Sequence, residues 1–119
     1  MKKINITFLI TILLLSVTAT ESHGQLFPTK LKITVIDGLG NFVEDAVVTI
    51  YRTKEDYQAS ENLVFTGMTD EKGRIKFKDA KPLTYFIDAR KDEMNNDGEG
   101  VKTGPLKTGR VTRVNTIIE

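Results

Sequence analysis

Apolar side chains recur at every second position in short runs from Leu31 onward, and a turn signal closes each run. That period of two constrains the fold more than any other feature, because it suits a half-buried strand and not a helix. Leu31, Ile33 and Val35 alternate with Lys32 and Thr34 before Asp37-Gly38-Leu39-Gly40-Asn41 breaks the pattern. Val43 to Arg52 follows, with Ala46, Val48 and Ile50 on one face and Val47, Thr49 and Tyr51 on the other. Its β-branched residues fit a pleated surface. Leu63 to Thr69 is a third expected strand, and Arg74 to Lys78 a fourth with Ile75 and Phe77 inward. Leu83 to Lys91 is a fifth, with Leu83, Tyr85, Ile87 and Ala89 in register, and Val111 to Ile118 is the last.

The connections read as turns and loops. Thr53 to Asn62 is polar and predicts a loop or one short helical turn. Asp70-Glu71-Lys72-Gly73 predicts a tight turn in which Gly73 takes positive φ without a Cβ clash. Residues 92–109 carry Gly98, Gly100, Gly104, Pro105 and Gly109 and predict a long polar excursion. Arg74, Lys76 and Lys78 point outward from one short strand, which discourages edge-to-edge pairing. No stretch after Gln25 sustains a helical repeat over three turns, and no internal repeat is present. Regularly spaced short strands of this kind predict an all-β sandwich or barrel.

The first residues predict export. Lys2 and Lys3 precede the mostly apolar run from Ile4 to Val17, and small residues follow, which is the layout of a secretory signal. Two cleavage sites fit: Val17 with Ala19, leaving Thr20 first, or Ser22 with Gly24, leaving Gln25 first. The second is preferred, since an amino-terminal Gln can cyclise and resist degradation. A spanning helix needs about 20 apolar residues, and this run is shorter and interrupted by Asn5, Thr7 and Thr11. The expected organisation is a signal peptide over 1–24 and one domain over 25–119, with no membrane span after cleavage. The expected destination is periplasm, cell surface or medium.

Removing residues 1–24 takes Lys2, Lys3 and Glu21 from the 17 basic and 16 acidic residues and leaves 15 of each. The basic residues are interleaved with acids along the chain, as in Lys54-Glu55-Asp56. A nucleic-acid binder needs a concentrated positive field, so nucleic acid is not an expected partner, and neutrality argues equally against docking on anionic lipid. There is no Cys, hence no disulfide, no thiol nucleophile and no cysteine for a lipid anchor. Folding must rest on burial alone, which a chain of this length supports.

Three blocks carry a family resemblance. Asp37-Gly38-Leu39-Gly40-Asn41-Phe42-Val43-Glu44-Asp45-Ala46-Val47-Val48-Thr49-Ile50 is a turn, a small residue and an alternating strand. Thr66-Gly67-Met68-Thr69-Asp70-Glu71-Lys72-Gly73-Arg74-Ile75-Lys76-Phe77 contains a Thr-Asp-x-x-Gly hairpin before another. Leu83-Thr84-Tyr85-Phe86-Ile87-Asp88-Ala89-Arg90-Lys91 is an aromatic-led strand. Together these resemble the carboxypeptidase regulatory-like domains, also called Cna-B-like, prealbumin-like or transthyretin-like. The resemblance implies a Greek-key sandwich of about seven strands that acts as an accessory, spacer or adhesion unit in exported proteins. Its motifs specify folding, not chemistry.

Candidate chemistry is thin. Glu93-Met94-Asn95-Asn96-Asp97-Gly98-Glu99 has oxygen ligands spaced like a calcium loop. The position where an EF-hand needs its bidentate Glu is Gly104, however, and residues 92–99 read equally as a polar loop. The resemblance brings a Lys–Asn isopeptide bond into question, for which Lys32, Asn115 and Glu44 are the available residues, although alternation points Lys32 outward. It also brings in the transthyretin-related hydrolases, whose histidines are missing here. His23 is the one His, within the expected leader, and Thr116-Ile117-Ile118-Glu119 does not match that family's Tyr-Arg-Gly-Ser. Without His or Cys after the leader, no Ser–His or Cys–His pair can be assembled, and zinc lacks its usual ligands. No phosphate-binding Gly loop joins a strand to a helix.

No catalytic, cofactor or metal residue is therefore expected, and no cofactor. Tyr51, Tyr57, Phe42 and Phe86 are the available aromatic surface for stacking on sugar rings. The expected function is an exported, non-enzymatic accessory or protein-interaction domain whose partner is another exported or envelope protein. The alternative is a small carbohydrate-binding or adhesion module.

Overall fold

The first alternating run becomes strand β1 (Lys30–Asp37), whose Leu31, Ile33 and Val35 are fully buried. The computed structural model describes residues 27–119, so the expected leader and both cleavage sites lie outside the described residues. The remaining elements are β2 (Val47–Tyr51), helix α1 (Lys54–Ala59), β3 (Phe65–Met68), β4 (Arg74–Phe77), β5 (Phe86–Lys91), β6 (Met94–Asn95) and β7 (Val111–Ile118). They form a Greek-key sandwich of seven strands, with one sheet ordered β4-β1-β7 and the other β3-β2-β5-β6. All pairs are antiparallel except β1 with β7, which run parallel over the whole of both strands. Between the sheets lie the inward residues of each strand, including Val48, Ile50, Ile87, Ala89 and Ile118. Val48, Ile50, Ile87 and Ala89 are positions that the period of two assigns to the core.

The second expected strand is shorter than its apolar pattern. Asp45 sits at φ 59° and breaks the run, so β2 begins only at Val47. Thr69 repairs the break. Its hydroxyl accepts from the Ala46 amide at 2.9 Å and donates to the Val43 carbonyl at 2.6 Å. The tight turn after it forms as expected: Asp70 Oδ1 accepts from the Lys72 and Arg74 amides at 2.9 and 3.0 Å. Gly73 is required there twice over. Its φ is +69°, and a Cβ would lie 2.5 Å from the Val35 carbonyl oxygen. Asp37 closes the β1 turn in the same way, accepting from Leu39 and Asn41. The polar stretch after β2 is helical for six residues, capped by the Thr53 hydroxyl and ended by Ser60 in the left-handed region.

Residues 92–109 are not the solvated excursion that their composition suggests. They run along the outer edge of β5 and satisfy it. Arg90 and Lys91 pair with Asn95 and Met94 of β6, the Ile87 amide reaches the Val101 carbonyl at 2.6 Å, and Thr103 bonds Tyr85. Where the two chains part, the Asn96 side chain bridges the gap. Its Oδ1 accepts from the Ala89 amide at 3.0 Å, and its Nδ2 donates to the Ile87 carbonyl at 2.9 Å and to Thr116 Oγ1 at 3.0 Å. Asn96 is 1% exposed, and Leu106 further along joins the core.

Two predictions follow from this bonding. Asn96→Ala leaves the Ala89 amide and the Ile87 carbonyl without the partners that Asn96 supplies, while Thr116 keeps its bond to the Glu99 carbonyl. Each buried group so stranded costs roughly 1–3 kcal/mol. The urea midpoint of the variant should fall by an amount equivalent to about 3 kcal/mol with the slope unchanged. The second concerns acid. The amides donated by Asn41 and Arg74 head the causes that hold Asp37 and Asp70 below the ordinary 3.8. The unfolded chain therefore binds more protons near that pH, and stability is lost as pH falls through the folded values. Burial raises Asp88 and opposes this in part. The melting temperature should drop between about pH 5 and about pH 3, and drop less in the Asp37→Asn, Asp70→Asn double variant, which keeps the acceptor oxygens without the titration.

Candidate functional site

The connection from β3 to β4 crosses from one sheet to the other, so both strands are edges and the sandwich gapes between them. At the end of that side, where β3 begins and β4 finishes, a groove of about 570 Å³ opens. Val64, Phe65, Phe77, Leu83 and Tyr85 make its apolar walls. The three rings lock together: Phe65 stacks on Phe77 with centroids 5.0 Å apart, and Tyr85 meets Phe77 edge-on at 5.5 Å. The rim carries Arg52, Lys76, Lys78 and Lys81 against a single acid, Asp79. Arg52 lies over the Tyr85 ring, 5.5 Å from its centroid, and donates to the Thr84 carbonyl. The loop from β4 to β5 is pinned in turn by the Lys81 amide, which donates to the Tyr85 hydroxyl at 2.9 Å. An apolar cleft of this size with a few convergent polar groups is the ordinary form of a binding site.

This site was invisible in the sequence as a unit. Phe77 and Tyr85 are legible as core residues, but their meeting with Phe65 and Arg52 depends on the crossing between sheets. The one local trace is the density of cations in Lys76-Phe77-Lys78 and Lys81.

The aromatic candidates divide. Tyr51 and Phe86 are cross-strand partners on the outer face of the four-stranded sheet, and Tyr57 of α1 lies over them, 6.0 Å from Tyr51 and 6.3 Å from Phe86. Tyr51 is left 5% exposed. The expected platform is thus covered by the protein's own helix, and Phe42 stands apart at 59% exposed, bridged to Ile36 on the other sheet.

The calcium-like stretch is engaged otherwise. Asn96 is the buried bridge, Asn95 Oδ1 accepts from the Asp97 amide, and Asp97 takes bonds from the Tyr57 hydroxyl and from Arg90, which also binds Asp88. Burial first, then the two nearby carboxylates, raise the Tyr57 phenol. Among the described residues no three His, Cys, Asp or Glu side chains converge on a point. The structure likewise does not gather Lys32, Asn115 and Glu44 into one buried site. Lys32 and Asn115 lie on the outer face of the three-stranded sheet, one register step apart, while Glu44 is exposed where Lys91 Nζ meets its carbonyl. Among the described residues no helix is long and apolar enough to cross a membrane.

Comparison with solved structures identifies the architecture. A streptococcal ancillary pilin matches 78% of this chain with a TM-score of 0.57 at 15% identity. The fold is the Cna-B-like, prealbumin-like sandwich. A second Cna-B-like match is the major pilin subunit of Bacillus cereus (TM-score 0.52, 19% identity, 77% of this chain), and a third is the TIE protein of Bacillus anthracis (0.53, 22%, 75%). The chain spans only 32%, 30% and 16% of those longer chains respectively. No family model and no curated protein matches it. The Cna-B-like frame leaves the groove as the place where core side chains meet solvent.

Tyr85→Phe tests how the groove is held. Losing the hydroxyl that accepts from Lys81 should cost about 1 kcal/mol and speed amide exchange at Lys81, with little change on the β1–β7 pair.

Proposed function

We propose that the protein is an exported, non-catalytic interaction domain that takes an extended segment of another exported protein into the groove at the end of the sandwich. The groove carries this reading: it joins uncovered core side chains to a rim of four cations and one acid. An occupant that fits is a segment with an apolar or aromatic side chain beside a carboxylate. The apolar group would displace water from Phe65, Leu83 and Val64, and the carboxylate would meet Arg52, Lys78 or Lys81. Just before β3, Val64 in the groove wall and its neighbour Leu63 are half exposed. The unpaired outer edge of β3 offers main-chain bonds to an extended chain. The fold agrees with this class of role, since the solved neighbours include pilin subunits, and fold-level likeness supports a class and not a partner. Export rests on the amino-terminal leader, and a non-catalytic role on the lack of any His or Cys after it.

Panning a library of random short peptides against the purified protein tests the reading. Enriched peptides should carry an acid beside an aromatic or aliphatic residue. Their affinity should fall about tenfold or more, equivalent to ~1.4 kcal/mol, in Val64→Asp and in Lys81→Glu. It should be unchanged in Phe42→Ala. Peptides indifferent to both groove variants, or a glycan array that binds through Tyr57 and Phe86 instead, would overturn it.

A further inference from the structure

We propose that the outer face of the three-stranded sheet binds a linear anionic polysaccharide through Lys30, Lys32, Arg74, Lys76 and Arg113. These cations are scattered in the sequence, and register brings them together. Lys76 of β4, Lys32 of β1 and Arg113 of β7 are directly opposite one another across all three strands. With neighbouring strands about 4.8 Å apart, the row spans roughly 10 Å. In the row on one side Arg74 faces Thr34, which faces Asn115, and in the row on the other side Lys30 faces Val111. Arg74, Lys76 and Arg113 are exposed, and Lys30 and Lys32 are half-buried. The expectation from the sequence of an evenly mixed surface does not hold on this face.

The cations outnumber the acid beside them. Among the described residues the ion pairs are those of Arg90 with Asp88 and Asp97, and none involves this face. The acid beside the row is Asp70, which accepts two amides of its own turn and offsets part of the charge of Lys32 and Arg74. Arg74 above all, then partial desolvation, Arg113 and Lys76, lower the Lys32 ammonium from its ordinary value. Like charges directly opposite in a sheet are destabilising. Protection of a sheet edge accounts for cations on β4, but Lys32 lies on the central strand, paired on both sides, and has no edge to protect. A ligand that neutralises the Lys76–Lys32–Arg113 row, with Arg74 and Lys30 on either side of it, accounts for the cation on the central strand as well as those at the edges.

The face also selects the kind of ligand. Folded protein partners draw their binding energy from buried aromatic and apolar anchors, and none of these rows presents an aromatic side chain. An anionic bilayer favours apolar side chains that enter its boundary; the Lys32 and Thr34 rows hold none, and the apolar residues of this face, Val111 opposite Lys30 and the Ile36–Ile117 pair, flank them. What accompanies the cations is the Thr34 hydroxyl and the Asn115 amide, both suited to sugar hydroxyls. A flat lattice of cations and neutral hydrogen-bonding groups fits a polymer that repeats an anionic group along a polyhydroxylated backbone. The choice of glycan over nucleic acid rests on the export reading above; the site itself does not.

Titration of the purified protein with polygalacturonate and with uncharged dextran, over a series of salt concentrations, tests the proposal. Polygalacturonate should bind, with affinity falling linearly on a log–log salt plot, and dextran should not. In Lys32→Gln, Arg113→Gln the affinity at low salt should fall about tenfold and the slope by roughly two. The same double variant should melt no lower than the parent, because it relieves repulsion. Val64→Asp, which alters the groove, should bind polygalacturonate as the parent does, so the two sites fail or stand separately. The proposal is overturned by no binding at low salt, by equal binding of dextran or by a double variant as tight as the parent. Tighter retention on anionic-lipid vesicles or duplex DNA through the same residues overturns it as well.

Discussion

A buried amide, next to two main-chain bonds between Asn95 and Glu119, joins the two sheets of this sandwich. Asn96 satisfies the Ala89 amide and the Ile87 carbonyl on β5 and also bonds Thr116 on β7, so it ties one sheet to the other along a single side. A backbone strand in its place would complete β5 but offer nothing to β7. An apolar residue would leave two strand groups buried without partners. With that side stitched, the segment from β6 to Leu106 lies flat along β5 and closes the core beneath it. The opposite side has no such stitch. There β3 and β4 part as the chain crosses between sheets, and the groove is the consequence.

The sequence could reveal what alternation encodes and little else. Leu31, Ile33 and Val35, or Tyr85, Ile87 and Ala89, show their inward face because they recur at period two, with mostly polar residues between them. Gly73 and Asp70 were equally plain, since the turn chemistry is local. β6 and its continuation were not, because an Asn that bridges strands with its side chain has the same letter as an Asn in a solvated turn. The shortening of β2 was hidden for a similar reason: Asp45 at positive φ leaves the apolar pattern from Val43 to Ile50 intact, and the repair comes from Thr69 far along the chain. The groove and the cationic row depend on which strands become neighbours. No window of sequence contains Phe65 beside Phe77, or Lys32 between Lys76 and Arg113.

That last juxtaposition explains how a chain with 15 acids and 15 bases after its expected leader presents a one-signed face. A carboxylate is an acceptor only, and tight turns leave amide donors without partners, so acids gravitate to turns. Asp37 and Asp70 each accept two backbone amides, and Asp56 accepts from Asn62 beside the helix. Lys and Arg have no acceptor and do no such work in a turn. Their long stems instead cover strand faces while the charge stays in water. Asp37 and Asp70 are thereby bound into the turns at the ends of the three-stranded sheet, and Lys32, Lys76 and Arg113 are left across its face. Net neutrality, which excludes a polyanion partner only if the two signs are mixed in space, does not exclude one here.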